Sequence, residues 1–373
     1  MKLLTVFGTR PEVIKLAPVI AELRRRSLDV LVCATAQHRG MMDQMLDGFS
    51  LRPDFDLDVM EENQSPLRVA TRIFETLTPI LETTRPDWLL VQGDTTTTFA
   101  AAWAAFQQRV SIGHVEAGLR TGDKLRPFPE EMNRRLTTAL ADLHFAPTPR
   151  AVENLLAEGT PRDRVHLTGN TVVDALLAIL QQPVAFTDAR LAQIAGRLLL
   201  VTAHRRESFG RPLEDICRAI SDLVETHADV TVVLPVHRNP SVRGIVERLL
   251  GNRDRVVLTD TLAYPEFVHL MKRASLILSD SGGVQEEAPS VGTPVLVLRE
   301  VTERPEAIES GWAELVGTDR SLIVSRASAR LARDRGACPS AANPFGDGRA
   351  SIRIADLLLG RRAARPDSIG ARA

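Results

Sequence analysis

The chain is predicted to fold as two α/β lobes of Rossmann type, on three observations. Short, almost continuously apolar runs recur along the sequence; they alternate with longer stretches of helical periodicity; and the series occurs twice within 373 residues. That length exceeds what one hydrophobic core usually serves. Strands alternating with helices build parallel sheets, and strands buried on both faces read as apolar runs without polar alternation.

The first series places strands at 3–7, 30–34, 88–91, 110–115 and 144–147, and the second at 198–201, 231–234, 256–258, 276–278 and 294–298. The intervening segments read as helices. Residues 11–26, for example, carry Pro11 near a helix start and apolar side chains at helical spacing. The first series closes near 166–170, and 181–197 reads as a linker with a connecting helix. The expected domains are therefore 1–170 and 171–350, followed by a C-terminal helix and tail, 351–373, packing back on the first lobe. The Arg-, Ala- and Gly-rich end beyond 361 is expected to fray.

The 46 basic and 47 acidic side chains give a net charge of -1, which argues against a general nucleic-acid binder. No apolar run approaches the ~18 residues that cross a membrane. The first strand begins at once, with no charged-then-apolar leader, so no signal peptide is expected. Cys33, Cys217 and Cys338 are far apart and not in metal-type spacing. They read as free thiols in a reducing, cytoplasmic setting.

Ligands of open parallel sheets bind beyond the carboxyl ends of the strands, and those ends are unusually polar here. The first lobe offers Gly8-Thr9-Arg10-Pro11-Glu12, Thr35-Ala36-Gln37-His38-Arg39, Gln92-Gly93-Asp94-Thr95 and Glu116-Ala117-Gly118-Leu119-Arg120. The second offers Thr202-Ala203-His204-Arg205-Arg206-Glu207, Val236-His237-Arg238-Asn239 and Ser279-Asp280-Ser281-Gly282-Gly283. Ser281-Gly282-Gly283 closes a strand and opens a helix at 284–290. Glycines admit a ligand close to the backbone, and free N–H groups at a helix start bind phosphate; an ordinary Ser cap with a glycine turn has the same sequence. Glu287, one helical turn on, could accept hydrogen bonds from ribose hydroxyls, or simply be an acid favoured in a first turn. No Gly-x-Gly-x-x-Gly follows a strand and no Walker lysine loop is present, which weighs against a nicotinamide dehydrogenase or an NTPase.

Asp94 and Glu116 end strands of the first lobe. Glu130 and Arg134 lie four apart on a predicted helix, as do Glu131 and Arg135, a spacing common to surface ion pairs worth ~0.3–0.5 kcal/mol. Pro127-Phe128-Pro129 sets that helix start beside the Glu116 loop, so one pair is expected to point inward.

These residues resemble the UDP-N-acetylglucosamine 2-epimerase family. The matches are Phe-Gly-Thr-Arg-Pro-Glu at 7–12, Lys15, Thr-Ala-Gln-His-Arg at 35–39, Gln-Gly-Asp-Thr at 92–95 and Glu-Ala-Gly-Leu-Arg-Thr at 116–121. Pro-Glu-Glu-Met-Asn-Arg at 129–134, His-Arg-Arg-Glu-Ser-Phe-Gly at 204–210 and Asp-Ser-Gly-Gly-Val-Gln-Glu-Glu-Ala-Pro at 280–289 follow in family order. Glu-Arg-Pro-Glu at 303–306 and Asn-Pro-Phe-Gly-Asp-Gly at 343–348 complete the set, which spans nearly the whole chain.

The resemblance implies a glycosyltransferase-B-like pair of lobes with a cleft between them and the nucleotide on the second. It implies that Arg10, Lys15, His204, Ser281, Gly282, Gly283, Glu287 and Arg304 contact a UDP-sugar and that Leu262 and Phe267 hold the uracil. Asp94, Glu116 and Glu130 match the catalytic acids, with Arg134 beside them. Gln37, His38 and Arg39 match a segment where some bacterial members bind a second substrate molecule as activator, although Gly40 stands where those members carry a larger polar side chain.

The implied reaction is reversible epimerisation at C2 of UDP-N-acetylglucosamine, by elimination of UDP to 2-acetamidoglucal and re-addition. No metal or cofactor is expected, and a homodimer is. The alternatives are a hydrolysing epimerase, an epimerase of a related UDP-acetamido-uronic acid, and a transferase of the same fold.

Overall fold

The structure, a computed structural model, describes residues 1–35, 46, 48–49, 51–59, 61, 64–203, 205, 209–237, 239–332 and 342–361. It divides into two units, one formed by Met1–Ala175 with the chain from Phe345 onward, the other by Leu176–Pro344.

Strands β1 (Lys2–Phe7), β2 (Asp29–Ala34), β3 (Phe55–Asp56), β4 (Trp88–Gln92), β5 (Ser111–Val115), β6 (Leu143–Ala146) and β7 (Val165–Leu167) form the first sheet, ordered β3-β2-β1-β4-β5-β6-β7. Strands β8 (Arg197–Thr202), β9 (Val230–Pro235), β10 (Val256–Thr259), β11 (Ala274–Ser279), β12 (Val295–Val297) and β13 (Ala313–Leu315) form the second, ordered β10-β9-β8-β11-β12-β13. All strand pairings in both sheets are parallel. Each sheet starts in its middle, winds out one way and then reverses, so a switch point lies between β1 and β4 and another between β8 and β11. The ten strands expected from apolar runs are all present. The three additional ones, β3, β7 and β13, have two or three residues and each includes a polar one, Asp56, His166 and Glu314, so none forms an apolar run.

Each sheet is covered by its own core. Leu4 and Val6 of β1 join Leu89 and Val91 of β4 under the helices Pro66–Thr84 and Thr96–Gln107. Leu199 and Val201 of β8 join Leu276 and Leu278 of β11 under the helices Arg211–Thr226 and Arg320–Leu331.

The segment 181–197, expected as a linker, is bound into the second unit. Thr187 N donates to Glu266 at 2.5 Å, Arg190 to the Leu258 carbonyl at 3.0 Å, and Arg273 to the Leu191 and Ile194 carbonyls at 2.8 and 3.2 Å. The chain instead leaves the first unit within the helix Thr171–Leu180, between Ala175 and Leu176. It returns at Phe345, slightly before the expected boundary at 350. The helix Ala350–Gly360 packs on the helix Arg10–Arg25. Buried Asp174 fixes its start, accepting from Ala350 N at 3.1 Å, Ser351 N at 2.8 Å and Ser351 Oγ at 2.5 Å.

Candidate active site

In the first unit, the turn after β1 is built around Glu12. Its carboxylate accepts from Gly8 N at 3.0 Å and Thr9 N at 2.7 Å, closing a capping box on the helix Arg10–Arg25. It also accepts from the hydroxyls of Thr95 at 2.8 Å and Thr98 at 3.3 Å, so the turn bearing Arg10 is tied to the turn bearing Asp94. Burial pushes the Glu12 carboxyl up, against the pull of these donors.

Beyond β4 the chain turns at Gly93 with φ +72°, and Thr95 caps the helix Thr96–Gln107 by accepting from Thr98 N. Buried His114 steadies this turn, donating from Nε2 to the Gly93 carbonyl at 2.7 Å. Burial lowers its pKa to about 4 and keeps it neutral.

Beyond β5 stands Glu116, in the left-handed region at φ +63°. For a residue other than glycine this costs about 1–3 kcal/mol and marks a place held by its surroundings. Gly93 N–Val115 O and Ala117 N–Phe145 O bonds hold the backbone. The nearly buried carboxylate is gripped by Lys15 Nζ and Gln92 Nε2, and by Asn170 Nδ2 at 3.1 Å. Two residues later, Gly118 has φ +93° and faces the helix Pro149–Ala157 so closely that a Cβ would stand 2.2 Å from the Ala151 carbonyl oxygen.

The helix Glu130–Leu140 brings in the third acid. Arg134 is engaged by Asp94 at 2.5 Å and by fully buried Glu131 at 3.3 Å, and Asn133 Nδ2 donates to the Asp94 carbonyl at 2.9 Å. Glu131 also pairs with Arg135 at 3.1 Å and accepts from Thr121 N at 3.1 Å. The inward-pointing pair is thus differently composed than the spacing suggested: Arg134 turns to Asp94 and Glu131. Glu130 is half-buried, and its carboxyl is raised by burial and by neighbouring Asp94, with Arg134 opposing. Asp94, Glu130 and Arg134 therefore form one group, with Glu116, Lys15, Gln92 and Asn170 beside it across the Gly93 turn.

In the second unit, Ser281 caps the helix Gly282–Glu287, which continues as a 3-10 turn, Ala288–Val291. The Ser281 side chain makes no capping bond. Two guanidiniums converge on the turn: a Cβ at Gly282 would stand 3.8 Å from Arg205 Nη2 and 3.9 Å from Arg304 Nη2. The Arg304 guanidinium pairs with buried Glu286, while Asp280 Oδ2 fixes the Arg205 backbone by accepting from its N–H at 2.8 Å. Burial would raise Glu303, but bidentate Arg299 at 2.8 and 3.2 Å and nearby Arg205 hold it down at about 2. Glu287, one turn into the helix, accepts from the buried Tyr264 hydroxyl. Tyr264 opens the helix Tyr264–Arg273, flanked by buried Leu262 and half-buried Phe267.

The expected site residues thus fall into two groups. Arg10, Lys15, Asp94, Glu116, Glu130 and Arg134 lie at the carboxyl edge of the first sheet. Ser281, Gly282, Gly283, Glu287, Arg304, Leu262 and Phe267 lie at that of the second. Lys15, expected to contact the UDP-sugar, is ion-paired to Glu116. His204, Gln37, His38 and Arg39 lie outside the described residues. Asn170 and Tyr264 were not singled out from sequence, and Gln92 and Arg205 were named only as members of the polar strand-end segments. Asn170 lies 54 residues from the carboxylate it holds, and nothing local announces it.

A family model described as UDP-N-acetylglucosamine 2-epimerase matches residues 21–359. The chain is 50% identical over 375 residues to the UDP-N-acetylglucosamine 2-epimerase of Escherichia coli (strain K12), covering 97% of this chain and 99% of that protein. It is 47% identical to the enzyme of that name from Bacillus subtilis (strain 168), covering 99% and 98%. Its structure is similar to that of the UDP-GlcNAc 2-epimerase from Neisseria meningitidis bound to UDP-GlcNAc, with a TM-score of 0.88, 45% identity, and 97% and 100% of the two chains covered.

Proposed function

The chain belongs to the UDP-N-acetylglucosamine 2-epimerase family, and from that premise we propose that it interconverts UDP-N-acetylglucosamine and UDP-N-acetylmannosamine without releasing free sugar. The observation that carries this reading is the carboxylate group of the first unit, Asp94, Glu116 and Glu130, held in two unlike environments. Inversion at C2 needs a proton removed from one face and returned to the other, hence two groups whose proton affinities differ. Lys15, Gln92 and Asn170 surround Glu116 with three hydrogen-bond donors. Glu130 has a raised pKa, which suits it to carry a proton near neutrality.

The C2 proton is only weakly acidic, so its removal is coupled to departure of UDP from C1, giving 2-acetamidoglucal. UDP adds back after the proton returns to the opposite face. The second unit supplies the counter-charge for the leaving pyrophosphate: Arg205 and Arg304 at the Ser281–Gly283 turn, with its open helix N–H groups, stabilise it where charge develops. Glu287 and Tyr264 are assigned to the ribose, Leu262 and Phe267 to the base, and Arg10 and His204 to the phosphates. No metal or redox cofactor enters these steps.

Proton NMR of UDP-N-acetylglucosamine incubated with the protein in deuterated water tests the reading. Loss of the C2 proton signal and appearance of UDP-N-acetylmannosamine is expected. Free N-acetylmannosamine with UDP would instead make the protein a hydrolysing enzyme.

We further assign a homodimer. Trp103 and Phe106 lie exposed on the helix Thr96–Gln107 with ring centroids 5.9 Å apart, and Leu136 is exposed on the helix Glu130–Leu140 that packs against it, apolar surface suited to a second copy. Light scattering of Trp103→Glu, expected to be monomeric, checks this. A cytoplasmic location is favoured by the nucleotide-sugar substrate and by the free, buried thiols of Cys33 and Cys217. No described helix is long and apolar enough to cross a membrane.

A further inference from the structure

Among the groups that grip Glu116, Asn170 belongs to no strand or helix of the catalytic edge. It lies where the two passages joining the units meet inside the first unit. Asn170 is 3% exposed, and all of its polar groups are engaged. Nδ2 donates to Glu116 Oε1 at 3.1 Å, Oδ1 accepts from Val172 N at 3.1 Å, and the backbone N donates to the Phe345 carbonyl at 2.7 Å. The bond to Val172 starts the helix Thr171–Leu180, through which the chain leaves the first unit. The bond to Phe345 fixes the residue at which it returns.

The returning backbone packs directly on the outgoing one. Gly169 and Gly346 have φ +88° and +133°, and a Cβ at Gly346 would stand 3.3 Å from Gly169 Cα. Just upstream, Asn343 Nδ2 donates to the Glu286 carbonyl at 3.1 Å and to Ser290 Oγ at 2.6 Å, on the segment that follows the Ser281–Gly283 turn. Within the first unit, the returning segment that begins at Phe345 is therefore fastened to the residue that holds Glu116.

We propose that Asn170 is a positioning residue for Glu116, orienting its carboxylate for proton transfer at C2, and that the Phe345 carbonyl holds Asn170 in turn. This rests on reading Glu116 as an acid/base group. An amide donor on Oε1 fixes the carboxylate plane, while Lys15 beside it supplies charge but, on a flexible stem, little orientation. Misplacing a reacting group by about 1 Å costs roughly 100-fold in rate.

Two substitutions separate positioning from general support. Asn170→Asp keeps the acceptor that starts the helix and replaces the donor to Glu116 by a carboxylate oxygen; Asn170→Ser keeps a short acceptor and loses the reach. Both are expected to lower kcat by roughly 10- to 100-fold, with KM and UDP affinity little changed. In a Glu116→Gln background, Asn170→Ser is expected to cause no further loss, because a residue acting through Glu116 has nothing left to position. Equal fractional losses in both backgrounds, or unchanged kcat in the single variants, would overturn the proposal.

A readout independent of turnover uses protein carrying carboxyl-13C glutamate, with the Glu116 resonance assigned by Glu116→Gln. In Asn170→Asp this resonance is expected to titrate at higher pH than in the native chain, since two carboxylates share the contact; an unchanged titration counts against the contact. If the native protein exchanged no C2 proton, the functional reading would fail while this titration still decided the role of Asn170.

Discussion

The turns after β4 and β11 occupy the same place in two similarly wound sheets, yet they are finished in opposite ways. After β4 the helix start is closed from within: Thr95 caps it, Glu12 ties it to the neighbouring turn and His114 holds Gly93. What projects is a carboxylate, Asp94, balanced by Arg134. After β11 the cap is open: Ser281 makes no side-chain bond to the helix, two glycines bare the backbone, and Arg205 and Arg304 stand over it. A parallel sheet dictates where a ligand meets the chain but not the sign of charge it meets there. The first unit has spent its backbone donors on itself and offers acids. The second leaves its helix start without a side-chain cap and sets two arginines over it, Arg304 paired with Glu286 and Arg205 near Glu303.

The largest effect that could break this contrast is on turnover. Asp94→Asn, Glu116→Gln and Glu130→Gln are each expected to lower kcat by about 1,000-fold, within the range of general acid–base catalysis, with UDP affinity nearly unchanged by calorimetry. Parallel loss of both would make the carboxylates structural.

Acid is expected to separate the units next. Burial lowers His114 to about 4 and His144 to about 3, and both lie in adjacent strands of the first sheet. Their folded pKa values are below the unfolded value, so the unfolded chain binds more protons. The stability they contribute is full above ~6.5 and falls as pH drops towards 4, by about 1.4 kcal/mol per pH unit for each histidine. Denaturant melts between pH 7 and 5 should show the first unit failing first, and His144→Phe should flatten the slope.

Gly118→Ala is expected to cost about 2–3 kcal/mol, since the Cβ would meet the Ala151 carbonyl in a left-handed backbone. A fall in melting temperature confined to the first unit checks it. On the other side of the contrast, Arg205→Met should weaken UDP binding about tenfold, the value of one charge-assisted contact, leaving the melting temperature unchanged.

The fold was legible because buried parallel strands write themselves as apolar runs, and β1, β4, β8 and β11 did so within a residue or two. The short strands β3, β7 and β13 carry no such signature, and 181–197 read as a linker because its ties to the second unit run through its own backbone or to backbone carbonyls. Asp94 and Glu116 could be found from their positions just past strand ends. Pairing could not: Arg134 sits one turn from Glu130, yet it reaches across to Asp94, 40 residues earlier. Sequence spacing reports which side chains share a helix face, not which of them an adjoining loop will claim.

The return of the chain at Phe345 also sets an order of assembly. Asp174, the backbone N of Asn170 and one flank of the helix Arg10–Arg25 each receive a partner from residues 345–360. During synthesis the second unit is complete in sequence while the first still lacks its closing helix. The acids are thus the first of the two groups to emerge from the ribosome, while Asn170, which holds one of them, gains its Phe345 contact only at the end.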